Sequence, residues 1–141
     1  MKKARGYVFS RSFFESRVPQ HIQNLVIRNF CKTNNIIYLL SASEYSMKNS
    51  YLILKSTIKK LNNIEGIVFY SIFQLPSEIN ERKSIYKKIL KDNKKLYFAV
   101  ENLTLKTKSD IDKLENILNI QNLLSDSLSK FELKKYLKKN Y

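Results

Sequence analysis

Four short apolar runs, each closed off by polar or turn-forming residues, alternate along this chain with segments whose apolar residues repeat at helical spacing. The runs are Arg5–Ser10, Ile36–Leu40, Gly66–Tyr70 and Lys95–Val100. They read as near-continuous Val/Ile/Leu/Phe/Tyr stretches without polar alternation, which suits strands buried on both faces. The segments between them are long enough for a helix. Ile22, Leu25, Val26, Asn29 and Phe30 recur at three and four after Pro19, a residue suited to a first helical turn. The stretch from about Ser50 to Leu61 carries mixed faces (Leu52 or Ile53, Ser56, Lys59, Lys60), and Ile79, Arg82, Ile85, Tyr86, Ile89 and Leu90 form a stripe up to Asp92-Asn93. Ile111, Leu114, Ile117 and Leu118 mark a last helix after Ser109, with Asp112 as the third residue of a cap and Ser125-Asp126-Ser127 as a break. A β-α-β-α-β-α-β-α order predicts a three-layer α/β/α domain around a mainly parallel four-stranded sheet.

At 141 residues the chain accommodates one such domain, with a core over about residues 5–105 and a helical segment over 109–141. With 43% apolar residues, 8 Phe and 9 Tyr, it can fill that core. One cysteine, Cys31, and one histidine, His21, cannot build a disulfide or a Cys/His zinc site, and Cys31 beside Phe30 reads as packing. Only two glycines occur, which leaves no G-x-G-x-x-G or Walker loop, excludes the nucleotide folds built on them and leaves any cofactor unidentified. The basic start Met1–Gly6 is not followed by a long apolar stretch, and no stretch reaches a membrane span, so a cytoplasmic, soluble protein is expected.

The formal charge of +14 invites a nucleic-acid partner. Yet Lys, Asn, Ile and Tyr, all with A/T-rich codons, supply 59 of 141 residues, whereas Arg occurs five times. The lysine surplus therefore reads first as a solvated surface, the basic 130–139 end included, and nucleic acid is the less favoured partner.

Ligands of open α/β sheets bind outside the carboxyl ends of the strands. Those ends carry Ser10, Arg11 and Ser12, then Arg17, Gln20, His21 and Gln23; Ser41, Ser43, Glu44 and Tyr45; Tyr70, Ser71 and Gln74; and Glu101 and Asn102. Arg11 and Arg17 beside a helix start suit a phosphate or carboxylate. His21 and Glu44 are the acid/base candidates if they meet in space. Ser10, Gln20, Ser43, Tyr45, Tyr70 and Gln74 complete the expected ligand-binding set.

Two family resemblances follow. Gly6-Tyr7 before a polar strand end, Gln23, Ser41–Ser43 and Gly66–Ile72 resemble, over about residues 5–105, the catalytic domain of serine recombinases, the resolvase/invertase fold. This implies a resolvase-like, flavodoxin-like sheet. The family's chemistry does not carry over. Phe9 stands where its Tyr-Ala-Arg-Val-Ser motif has arginine, and Arg11 where it has the nucleophile. Its Arg-x-Gly-Leu becomes Asn49–Leu52, and its Leu-Asp-Arg-Leu-Ser-Arg becomes Ile72–Ser77. Those arginines would neutralise the transferring phosphate. Further, Arg5–Tyr7, Ser10-Arg11, Val18–Arg28, Tyr38–Tyr45 and Ile67–Pro76 resemble the sporadic carbohydrate cluster family. That resemblance implies a bacterial protein of surface-polysaccharide or lipopolysaccharide biosynthesis and brings no known reaction with it. Together these readings predict a sugar phosphate or sugar nucleotide as ligand. A DNA-binding or regulatory module and a scaffold subunit, as a homodimer or bound to a biosynthetic enzyme, are the other readings.

Overall fold

The computed structural model describes residues 1–13 and 17–140, with side chains as far as residue 124. Its elements are β1 (Lys3–Val8), α1 (Gln20–Thr33), β2 (Ile37–Ser43), α2 (Leu52–Lys59), β3 (Gly66–Phe69), a 3-10 turn (Ile72–Gln74), α3 (Ile79–Lys91), β4 (Lys95–Phe98), β5 (Leu103–Leu105) and α4 (Lys108–Asn140). The sheet order is β2-β1-β3-β4-β5; the first four strands are parallel and β5 runs antiparallel to β4. The expected four-strand sheet thus gains a fifth strand. Asn102, with a φ of 52°, turns the chain back after β4 so that Leu105 can be buried beside Leu96.

Each central strand is apolar on both sides because both sides are covered. Tyr7, Phe69, Leu96 and Phe98 face α2, α3 and α4 and pack with Leu54, Ile58, Ile85, Tyr86, Ile89 and Leu114. Ala4, Val8, Val68 and Tyr97 face the other way, onto Ile27, Phe30 and Cys31 of α1. Gly66 lies so close to β4 that a Cβ would overlap the Lys95 carbonyl, which explains one of the chain's two glycines.

Three elements depart from expectation for physical reasons. In α1 the buried face is Gln23, Ile27, Phe30 and Cys31, while Ile22 and Leu25 of the expected stripe are exposed. The helix is rotated by the bonds of Gln23 described below. β2 runs on through Ser41–Ser43, expected as loop, because Tyr7 pairs with Ala42 and Val8 with Ser43 across a bulge. Arg5 fills that irregularity by donating to the Leu40 carbonyl at 2.8 Å, and the bulge interrupts an otherwise open sheet edge. α4 begins at Lys108 and runs unbroken through 125–127. Its start is held by Asp110, whose Oδ2 accepts from the Lys106 and Thr107 amides and the Thr107 hydroxyl, instead of by Ser109 and Asp112.

Asparagine does the work that glycine does elsewhere. Asn35 and Asn93, with φ of 57° and 56°, follow the last residues of α1 and α3. The amides of Ile36 and Lys94 then reach back to the Cys31 and Ile89 carbonyls at 2.8 and 2.9 Å, closing each helix with a 6→1 bond. Asn93→Gly is expected to retain or slightly raise the denaturant midpoint. Asn93→Val should cost about 1–2 kcal/mol, because a β-branched side chain collides in the left-handed region.

Candidate functional site at the carboxyl ends of the strands

The chain order places α1 on one face and the other helices on the opposite face, so the sheet's switch point lies between β1 and β3. A ligand crevice is normally found there. Here the position is filled by a buried pair of amides. Gln23 Nε2 donates to the Phe9 and Val18 carbonyls at 2.8 Å each. Its Oε1 accepts from the Phe9 amide at 3.4 Å and from Gln74 Nε2 at 2.8 Å. Gln74 Oε1 in turn accepts the amides of Tyr70 and Ser71 at 3.0 and 3.3 Å. Both side chains are fully buried. Tyr70 sets its ring edge-on to Phe13, which meets Phe9 the same way. Gln74 and Tyr70 are thus turned into the fold at the switch point.

Glu44 has a comparable fate. It is 4% exposed, and its carboxylate accepts the Tyr7 hydroxyl at 2.9 Å and the amides of Tyr45, Ile53 and Leu54, all at 3.1 Å. The Ser50 hydroxyl adds a bond at 3.3 Å. The carboxylate caps the start of α2, where the helix dipole favours negative charge. Burial alone would raise its pKa; the bonds from Ile53, Leu54, Tyr7 and Tyr45 outweigh it and hold the carboxyl below the ordinary range. Tyr7 is pushed up, by burial first and then by the neighbouring carboxylate. His21 is exposed, and its imidazole forms no hydrogen bond or ion pair with Glu44 or any other described residue. The structure therefore does not join the two into a hydrogen-bonded pair.

Arg11 is held in place by rings and carbonyls. Its guanidinium lies 4.5 Å from the Phe9 ring centre and 4.7 Å from that of Tyr51. Nη1 donates to the Tyr45 and Met47 carbonyls at 3.3 and 2.9 Å, which pins the β2–α2 loop to the end of β1. Nη2 is buried and has no hydrogen-bond partner among the described residues. Tyr45 contributes that carbonyl while its side chain stays half exposed.

The remaining predicted residues lie around the start of α1. Gln20 Nε2 donates to the Ser43 hydroxyl at 2.9 Å, joining the first turn of α1 to the end of β2. Ser10 follows Phe9, whose backbone is bonded to Gln23 one turn into the helix. Arg17 is exposed two residues before Pro19. Pro19 is the N-cap; among the described residues no side chain caps α1, and its first turn has no acidic residue. Five clefts elsewhere on the molecule are lined by other residues.

Glu101, noted at the end of β4, accepts from the Ile72 amide at 2.6 Å and the Ser71 hydroxyl at 3.0 Å. Burial raises its carboxyl, against the pull of those two bonds. Among the described residues no three His, Cys, Asp or Glu side chains gather as metal ligands.

The architecture can now be set beside known structures. A resolvase family site-specific recombinase from Streptococcus pneumoniae superimposes with a TM-score of 0.65 at 10% identity, covering 95% of this chain and 98% of that one. The fold is resolvase-like. The N-terminal catalytic domain of TP901-1 integrase matches with a TM-score of 0.56 at 13% identity, over 90% of this chain and 98% of the other. No protein-family model and no curated protein matches the chain, so the carbohydrate-cluster resemblance gains no support from either. No described helix is long and apolar enough to cross a membrane. At the resolvase-fold positions discussed above, Phe9 is buried core, Asn49 sits in a left-handed turn with φ of 59°, and Gln74 is tied to Gln23.

Proposed function

We propose that this resolvase-fold protein has lost recombinase chemistry and binds a phosphorylated ligand, a sugar phosphate or nucleotide-linked sugar, on the surface formed by the ends of β1 and β2 and the start of α1. The observation that carries this reading is a coincidence of place. The end of the sheet where the Ser43 hydroxyl, having accepted from Gln20, keeps its proton to donate is also where α1 starts, among the described residues, without a side-chain cap and without an acidic residue in its first turn. Phosphate oxygens would accept from the amides of Gln20 and His21, the two of the first turn that do not donate to the Pro19 carbonyl, with Arg17 supplying charge and the His21 ring a hydrogen bond. Ser10, Gln20 and Ser43 would read hydroxyls, and the half-exposed Tyr45 ring would cover an apolar sugar face. Arg11, Glu44, Tyr70 and Gln74 serve as positioning residues that fix the loops around this surface. The resemblance to the sporadic carbohydrate cluster family supports bacterial surface-carbohydrate assembly as the setting. An acid/base role for His21 with Glu44 has no support in their bonding, so the reading is one of binding.

A thermal-shift series with UDP-, GDP- and dTDP-sugars and simple sugar phosphates tests it. At saturating ligand the wild type should melt a few degrees higher, and R17A/H21A should lose that gain while melting normally without ligand. An unchanged gain in R17A/H21A rejects the site. No gain with any of these ligands, alongside duplex DNA binding that falls steeply with salt, supports a DNA-binding module instead.

A further inference from the structure

The two sides of α3 treat their lysines differently. Towards α2, Lys55 pairs with Glu81 at 3.9 Å and Lys88 with Asp92 at 2.8 Å. Towards α4, a cleft of about 740 Å³ is bordered by Lys83, Lys87 and Lys91 of α3 and by Lys108 of α4. None of these four lysines forms an ion pair among the described residues, and the one carboxylate on the rim, Asp112, bonds to none of them. The floor is different in kind: the buried Tyr86 ring and the half-buried Leu90 and Ile111.

We infer that the α3–α4 cleft is a docking groove for an acidic, amphipathic helical segment of a partner protein. Lys83, Lys87 and Lys91 recur every fourth residue, so their Cα atoms step along one edge by about 6 Å and span about 12 Å. That row matches carboxylates repeating at the same interval on a helix laid alongside it. Aliphatic side chains on the occupant's inner face would meet Leu90, Ile111 and the Tyr86 ring, as in other helix-in-groove interfaces. Four unneutralised ammonium groups against one carboxylate set the sign of the partner. A single-stranded nucleic acid would need exposed ring faces for its bases, and here the one aromatic ring is buried in the floor. A lipid surface would need apolar side chains standing outward, and these lie below the lysines.

The probe is a fluorescein-labelled helical peptide of about 18 residues, with leucine at i, i+3, i+4 and i+7 and glutamate elsewhere. A scrambled peptide of the same composition and a lysine-for-glutamate version are the controls. Fluorescence anisotropy should show the acidic amphipathic peptide binding the full chain best at low salt and losing affinity as salt rises. K87E/K91E should weaken it at least about tenfold, with unchanged circular dichroism. Equal binding of the scrambled peptide, no loss in K87E/K91E, or no binding of any peptide overturns the inference. So does binding confined to vesicles of phosphatidylglycerol, which makes the surface a lipid site. Because Arg17 and His21 are not part of this groove, R17A/H21A should bind the peptide normally, which separates this result from the fate of the ligand site.

Discussion

Glu44→Gln is expected to lower the unfolding free energy by about 2–4 kcal/mol, although the two side chains are nearly the same size. The carboxylate accepts five hydrogen bonds, three of them from backbone amides at and before the start of α2. A glutamine can turn only one acceptor oxygen to that array; its NH2 would face other donors and leave amides unsatisfied in a buried setting. Urea denaturation of the two proteins measures the loss. The pH dependence supplies an independent check. The Glu44 carboxyl is held below its ordinary value of 4.5 in the folded state. Its ionised form therefore adds stability that is fully present above the unfolded pKa and is lost as pH falls through the folded one. Glu101, whose carboxyl is raised, acts with the opposite sign. The wild type minus E44Q difference isolates Glu44: the gap should be widest near neutral pH and should close in acid. A gap that stays constant down through acid pH would refute this account of the carboxylate.

Glu115→Leu should be at least as damaging, about 3–5 kcal/mol, and should act on α4. Arg82 meets both Glu115 oxygens through Nε at 3.0 and 3.1 Å and adds an Nη2 contact at 3.0 Å. The same guanidinium donates to the Pro76 and Ser77 carbonyls at 3.1 and 2.8 Å. With the two side chains 9% and 14% exposed, removing one partner leaves a buried charge without its counterion. The cost is a large share of the 5–15 kcal/mol available to a typical domain. Beyond this clamp α4 is held by Ile111, Leu114, Ile117 and Leu118, so its first turns should become sensitive to limited proteolysis in the variant. The pair R82M/E115L should recover part of the loss, because it removes the unpaired charge, but not all, because the two carbonyls stay unsatisfied. A double variant no more stable than E115L would place the effect elsewhere.

Glu44 and Arg82 also show where sequence reading reaches and where it stops. The alternation of strands and helices around a parallel sheet was legible because apolar runs separated by helix-length segments have few alternatives, although β2 proved to be an edge strand with Leu40 exposed. The polar residues at the strand ends were legible as a group for the same topological reason. Their roles were not. Glu44 follows a strand end, where a catalytic carboxylate of such a sheet would stand, yet nothing local records that Ile53 and Leu54 turn their amides onto it. Gln23 appeared as one more polar residue near a helix start, and its link to Gln74 spans 51 positions. Arg82 sat in an apolar stripe where its partner 33 residues later gave no sign. Ile22 and Leu25 marked a helix correctly but its face incorrectly, since four bonds from one buried amide outweigh two leucine-sized side chains left in water.

By itself the sequence determined the class of fold and the lack of a glycine-rich phosphate loop, both of which depend on residue type and local period. Only the tertiary structure decided which charges and amides remain free. Burial makes a polar group find a partner wherever the fold supplies one, and that partner is set by distances across the sheet. The long-range bonds of Gln23, Glu44 and Arg82 close the switch point, α2 and α4. Among the described residues they leave the start of α1 and the lysines of the α3–α4 groove without such partners.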